Sequence, residues 1–254
     1  MIMRRMFGNK TDIGESKTIL WEDDQSKIDY EQNREEFGPD WYYYNKKISF
    51  EYNSNGFRAP EFDTVDWANS VVVIGDSFTA GEGNAIEDIS TSLLEDMLNM
   101  PVINLGASGT DPDIACWNSL LLHETYPQPK ALVHIWSNIH RYGEFTTKTS
   151  FGNGAGTYTH HLPGSPRPIF GRSTYCARGH NWMERNKMYV LADRALWRNK
   201  LPRYEASVFK QTARQLSVDF LETIDKGRDL DHWGWESNII AAKRIASELK
   251  KQGL

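Results

Sequence analysis

Four apolar residues run together at Val71-Val72-Val73-Ile74, closed by Gly75. An unbroken run of this length suits a strand buried on both faces rather than an alternating surface strand. The segment "DISTSLLEDMLNM" then spaces Leu93, Leu94, Met97 and Leu98 at helical intervals, with Ser90 or Asp88 to cap it and Pro101 to end it. "PVINLG" reads as a second short strand. "DPDIACWNSLLLHETY" reads as a helix with Pro112 at its start and acids in its first turn. "KALVHIWS" supplies a third strand. Strand, helix, strand, helix, strand predicts a parallel sheet with right-handed crossovers.

Regularity fails on either side of this stretch. Residues 141–180 are rich in Gly, Thr, Ser, Pro and His without a period, and they predict a long functional or mobile loop. Helices are predicted near 183–199 and 205–217, and "SVDFLETID" either continues the second or forms a short fourth strand. The end, "GWESNIIAAKRIASELKKQ", gathers Ile239, Ile240, Ile245 and Leu249 on one broad face of a helix with lysines in its last turn. Upstream, Ile48, Phe50 and Tyr52 alternate before Asn-Ser-Asn-Gly, a turn signal. The expected organisation is an N-terminal arm over 1–65, with one or two short strands, packing on an α/β domain over 66–254 that carries the 141–180 loop. No internal repeat is visible.

Composition narrows the classes. A chain of 254 residues with 39% apolar and 25% charged residues has globular proportions. A net charge of -5 argues against nucleic acid as the main partner, since phosphate binding needs a concentrated basic patch. No run of about 18 apolar residues predicts a membrane span. The N-terminal "MIMRR" is not followed by the apolar stretch of a secretory signal, so a cytoplasmic or otherwise intracellular location is expected. Cys116 and Cys176 form no Cys-x-x-Cys pair, which predicts free thiols in a reducing compartment.

The first strand leads into Gly75-Asp76-Ser77, at the end of a parallel strand, where sites gather in open α/β sheets. A phosphate loop does not fit: Gly75 and Gly81 are too far apart and Glu82 stands where a lysine is needed. The dinucleotide fingerprint lacks its third glycine. What remains is a capping serine in a simple turn or a serine nucleophile. A nucleophilic hydroxyl needs a base, and the base needs an orienting acid. "GRDLDHWGW" offers Asp229 three residues before His232, a spacing that lets the carboxylate reach Nδ1 and leaves Nε2 for the serine. Asp231 is the second-ranked acid, because adjacent side chains seldom meet. Gly106 and Gly109 in "NLGASGT" and the Asn138 amide in "WSNIHR" supply candidate donors to a developing oxyanion, each after a successive strand.

Gly75-Asp76-Ser77, Asn104-x-Gly106-x-x-Gly109, Asn138 and Asp229-x-x-His232, in this order over about residues 68–250, resemble the four blocks of the SGNH (GDSL) hydrolases. The third block departs, with Trp136-Ser137-Asn138-Ile139 where that family usually has Gly-x-Asn-Asp. The resemblance implies a flavodoxin-like three-layer α/β/α sandwich and ester hydrolysis through an acyl-enzyme, with no metal or cofactor. It implies Ser77 as nucleophile, His232 as general base and then acid, and Asp229 as its orienter. The Ser77 N–H, Gly109 N–H and Asn138 amide would form the oxyanion hole, and Asp76 would hold the serine loop. A small-molecule or glycan ester, such as a carbohydrate O-acetyl group, is the expected substrate. An acyltransferase with the same triad and a non-catalytic module of this fold are the alternatives. The chain is also similar to trimmed, phage-encoded versions of the fold. His160, His161, Cys176 and His180 have no recognised metal-ligand spacing. Trp182, Trp233 and Trp235 are read as packing or loop anchors rather than sugar platforms. Arg58 is read as pinning the arm through carbonyls or a salt bridge rather than reaching the site.

Overall fold

The computed structural model describes residues 6, 8, 17–21, 24–146, 157–161 and 180–254. In chain order its elements are β1 (Lys17–Ile19), α1 (Asp24–Phe37), β2 (Phe50–Tyr52), β3 (Val71–Gly75), α2 (Ser77–Ala80), α3 (Ser90–Leu98), β4 (Val102–Gly106) and α4 (Pro112–Thr125). They continue with β5 (Ala131–Ile135), β6 (Tyr142–Thr146), β7 (Thr157–His161), α5 (His180–Leu196), β8 (Arg203–Ser207), α6 (Lys210–Leu216), β9 (Asp219–Phe220) and α7 (Trp235–Lys251).

The central sheet runs β4-β3-β5-β8-β9 and all its pairs are parallel. Counting only its own strands, the order is 2-1-3-4-5, the flavodoxin-like arrangement of a doubly wound sheet. The unbroken apolar run of β3 has its reason in the two layers of helix. Val72 and Ile74 join a core that includes Leu122 of α4, Val190 of α5 and Trp197 just past the end of α5. Val71 and Val73 join the opposite core, with Leu94 of α3 and Ala242, Ile245 and Leu249 of α7. Every residue of β3, β4 and β5 is buried. The result is an α/β/α sandwich, and no described helix is long and apolar enough to cross a membrane.

Three segments differ from expectation. The helix predicted over 205–217 is β8 followed by the shorter α6. Tyr204 and Ala206 of β8 enter the core, while Arg203 and Glu205 turn to the other face. There Glu205 accepts from Trp136 Nε1 (2.9 Å) and Arg194 (2.8 Å), and Arg203 pairs with buried Asp193. A strand with charged residues on its second face loses its apolar signature. "SVDFLETID" then contributes β9, the fifth strand of the sheet. The N-terminal region holds α1 between the paired β1 and β2, although α1 is too evenly polar for a helical face to show in its sequence. Within 141–180, β6 and β7 pair antiparallel. Residues 147–156 and 162–179, and Cys176 with them, lie outside the described residues.

Arg58 fixes the N-terminal segment to the serine loop. It is 4% exposed and donates to the carbonyls of Ser49 (3.4 Å), Ala80 (3.2 Å), Gly81 (2.7 Å) and Asn84 (3.2 Å). Its guanidinium also lies 4.8 Å from the Phe50 ring centre. Truncating it removes a donor from all four carbonyls, of which the Gly81 carbonyl keeps the Asn84 N–H at 3.2 Å. Arg58→Ala should lower the unfolding free energy by on the order of 3 kcal/mol in urea titration. Arg58→Lys should recover only part of it, because an ammonium cannot reproduce the planar fork. A change below about 0.5 kcal/mol, the usual range for surface substitutions, would show that the fork carries no such load.

Candidate active site

The parallel register sets Gly75 beside Gly106 on one side and beside Ile135 on the other. Three strands therefore end level, and the loops after them emerge side by side. Helix α2 lies directly on this edge. A Cβ at Gly75 would collide with Thr79 Oγ1, and one at Gly106 with the backbone of Ala80. Asp76 caps α2, its Oδ1 accepting from the Phe78 N–H at 3.1 Å. Ser77 is the first helical residue and is 4% exposed.

The Ser77 hydroxyl lies 2.7 Å from Nε2 of His232, and Nδ1 of His232 lies 2.6 Å from Oδ2 of Asp229. The other Asp229 oxygen accepts the N–H groups of Asp231 (3.0 Å) and His232 (3.1 Å). One carboxylate thus orders both the turn and the ring. Asp231 is exposed and contributes its backbone: its N–H to Asp229, and its carbonyl to Lys226 at 3.0 Å. Between the two acids, Leu230 takes a left-handed φ of 55°. That conformation costs a non-glycine residue about 1 kcal/mol, and the Leu230 N–H is held by the Gly227 carbonyl at 3.0 Å.

Burial works against a charged His232. The hydrogen bond and charge of Asp229 outweigh it, helped by the charges of Glu82 and Asp76, and push its pKa up to about 9. Asp229 moves the other way: burial raises it, but the bond and charge of His232 hold it below the usual carboxylate value. The two carboxylates therefore favour the protonated ring, and Nε2 faces the Ser77 hydroxyl.

The candidate oxyanion donors stand on the same rim. Gly109 sits at φ 66° in the turn after β4, where Thr110 donates to the Ala107 carbonyl through Oγ1 at 2.7 Å. Asn138 spends Oδ1 on the His140 N–H at 3.0 Å, and an oxygen is the only amide end that can accept there. Its NH2 end is therefore turned away from that contact. The departure at Ile139 is structural: its side chain is buried, its N–H donates to Thr212 Oγ1 (2.9 Å) and its carbonyl accepts from Asn186 (2.8 Å).

Sequence reasoning passed over several supporting residues. Arg141 reaches Asp76 Oδ2 at 3.2 Å and the Thr110 carbonyl at 3.4 Å, while its N–H bonds the Asn138 carbonyl at 2.9 Å. Through its guanidinium and its backbone N–H, Arg141 so links the three loops that carry Ser77, Gly109 and Asn138. Asn84 accepts from Tyr43 Oη (2.8 Å) and donates to the Trp233 carbonyl (2.7 Å), tying the arm to the histidine loop. Glu82 Oε2 lies 3.3 Å from His232 Nε2. Of these, only Arg141 left a trace in the sequence, as a charge just past a buried strand.

Trp233 is buried and meets Phe78 edge-on, a packing role. Trp182 is half-buried beneath the Arg185 guanidinium at 4.6 Å. Trp235 is 36% exposed and stacks on Tyr42, which is 45% exposed, at 5.5 Å and 17°. His160 and His161 belong to β7 and His180 opens α5. Among the described residues no group of three His, Cys, Asp or Glu is arranged to hold a metal ion.

No protein-family model and no curated protein matches the chain. Solved structures similar to it include a lipolytic protein of the G-D-S-L family from Desulfitobacterium hafniense, 14% identical, covering 71% of this chain and 99% of that one at a TM-score of 0.44. A lipolytic protein of the same family from Veillonella parvula is 10% identical, covering 70% and 96% at 0.42. An acetyl xylan esterase from the rumen bacterium Butyrivibrio proteoclasticus is 12% identical, covering 74% and 65% at 0.45.

The raised pKa of His232 has a sign for stability. Its folded value of about 9 lies above the ordinary 6.5, so its contribution is fully present below pH 6.5 and is lost as pH rises through 9. The urea midpoint of the wild type should fall across that window, and the fall should be smaller in His232→Gln. Equal falls in both proteins would place the titration elsewhere.

Proposed function

We propose that this chain is a serine ester hydrolase acting through an acyl-enzyme. The observation that carries the reading is the unbroken hydrogen-bond chain from Ser77 through His232 to Asp229 at a parallel-sheet edge. Ser77 Oγ attacks the ester carbonyl while Nε2 of neutral His232 takes its proton. Charge develops on the carbonyl oxygen. The Ser77 N–H at the start of α2, the Gly109 N–H and the Asn138 NH2 are the donors suited to receive it. Collapse expels the alcohol, which takes the proton from Nε2. Water then repeats the sequence and frees the acid. Asp229 stays ionised throughout and holds the Nδ1 proton in place.

A carbohydrate carrying short acyl groups is the narrower reading. It is supported by the partly exposed aromatic surface that Tyr42 and Trp235 form by stacking on each other, Trp235 lying three residues past His232; this goes beyond the anchoring role read for Trp235 from sequence.

Three measurements test the reading. A fluorophosphonate probe, followed by peptide mapping, should label Ser77 and no other serine, and His232→Ala should abolish the adduct. Ser77→Ala and His232→Ala should each lower kcat/KM on a short ester by several orders of magnitude, and Asn138→Ala by about 10²-fold. Because the base must be neutral, kcat/KM should climb about tenfold per pH unit up to an apparent pKa near 9. A folded protein that takes no label would favour a non-catalytic binding role. Unchanged turnover in Ser77→Ala would remove the mechanism.

A further inference from the structure

We infer that Glu82 is a positioning residue, a second carboxylate on the imidazole that holds His232 from its Nε2 side and sets the pH at which the base works. The inference rests on the hydrolase reading above. Glu82 Oε2 stands 3.3 Å from His232 Nε2, the nitrogen that also faces Ser77 Oγ at 2.7 Å. The ring is therefore flanked by carboxylates at both nitrogens, Asp229 on one and Glu82 on the other. The two side chains are only 15% and 18% exposed, so solvent screens their attraction less than at an open surface.

The reach of Glu82 is built in. Its N–H donates to the Ser77 carbonyl at 3.2 Å, one turn beyond the nucleophile. Its carbonyl accepts from Asn84 Nδ2 at 2.9 Å, and the same amide group holds the Trp233 carbonyl. Gly83 follows at φ 73°, and a Cβ there would stand 2.8 Å from the Asp229 carboxylate. The Gly83 carbonyl accepts the Arg228 N–H at 2.9 Å, next to Asp229 in the chain. Glu82 is thus carried on a segment clamped to the histidine loop on both sides.

The surroundings leave few other charges to set the ring. Asp229 faces it from its own loop, and Asp76 acts from the end of β3, already paired with Arg141. Phe78 meets it edge-on at 4.9 Å, and Phe209 packs behind Phe78. Asp231 and Lys226 share its loop but are exposed, with Lys226 Nζ donating to the Asp231 carbonyl. Glu82 has two opposed effects in consequence. It disfavours the neutral ring that must accept the Ser77 proton, and it stabilises the imidazolium that forms with the tetrahedral intermediate. Removing its charge should move the acid limb of the reaction to lower pH and lower the plateau above it.

The test compares wild type with Glu82→Gln, Glu82→Asp and Glu82→Ala, each checked for the wild-type melting profile. His232 is titrated by imidazole ¹H–¹⁵N NMR without substrate, and kcat/KM on a short ester is followed from pH 5 to 10. Glu82→Gln should titrate about one unit lower than wild type in both readouts, so the two pH profiles cross, and Glu82→Ala should do the same. Glu82→Asp should return part of the way. An NMR pKa unchanged in both Glu82→Gln and Glu82→Ala overturns the inference. The NMR arm stands apart from turnover: a wild type that hydrolyses no ester and takes no fluorophosphonate sinks the hydrolase reading, while the Glu82–His232 coupling is still decided by the titration.

Discussion

Helix α2 rests on the sheet at a separation that only glycine allows. Gly75 and Gly106 end neighbouring strands at the same level, and α2 fills the space their missing side chains leave. A methyl group at either position would lift the helix off the edge. Ser77, its cap Asp76 and the following loop would move with it. Everything downstream depends on this seat: the short Ser77–His232 contact, the approach of Gly83 to Asp229, and the four carbonyl bonds of Arg58 beneath the loop. The serine gains its position from packing rather than from a strained turn. The backbone strain of the site is elsewhere, at Leu230 between Asp229 and His232.

Electrostatics then divides into two centres. On one side His232 is held between carboxylates and favours its charged form. On the other Arg141 stands against buried Asp76 and binds the loops that carry the candidate oxyanion donors. Burial pushes the Asp76 carboxyl up, and the Arg141 charge opposes it. Asp76 is therefore more than a helix cap. It is the point where the negative charge around the histidine meets the one guanidinium that orders the opposite rim.

What the sequence made legible follows its strongest physical signals. The run at 71–74 announced β3 because both of its faces are covered by helices. The spacing of Asp229 and His232 announced a turn because one carboxylate can serve both the backbone and the ring. The interior of β8 stayed hidden, since Arg203 and Glu205 occupy a face that buries ion pairs rather than hydrocarbon. Helix α1 stayed hidden for the opposite reason: it is polar on most sides. Glu82 and Arg141 act through contacts with residues 150 and 65 positions away, and no local pattern encodes partners at that distance. Ile139 looked like damage to the third block, yet it is a buried anchor whose backbone bonds fix the neighbouring Asn138.

Asn84 joins parts of the chain that are far apart in sequence. Tyr43 lies 41 positions before it and Trp233 149 positions after it. Loops of that length close late, because their entropy is lost before their contacts form. The sheet can assemble from neighbouring strands and helices, but the histidine loop is fixed only when the arm, the serine loop and the chain end have met. The order of events reverses on heating. Losing the Asn84 bonds would free the histidine loop without breaking any strand pair, so the Ser77–His232 contact rests on bonds the sheet does not share. Heat should then loosen that contact before it melts the sheet.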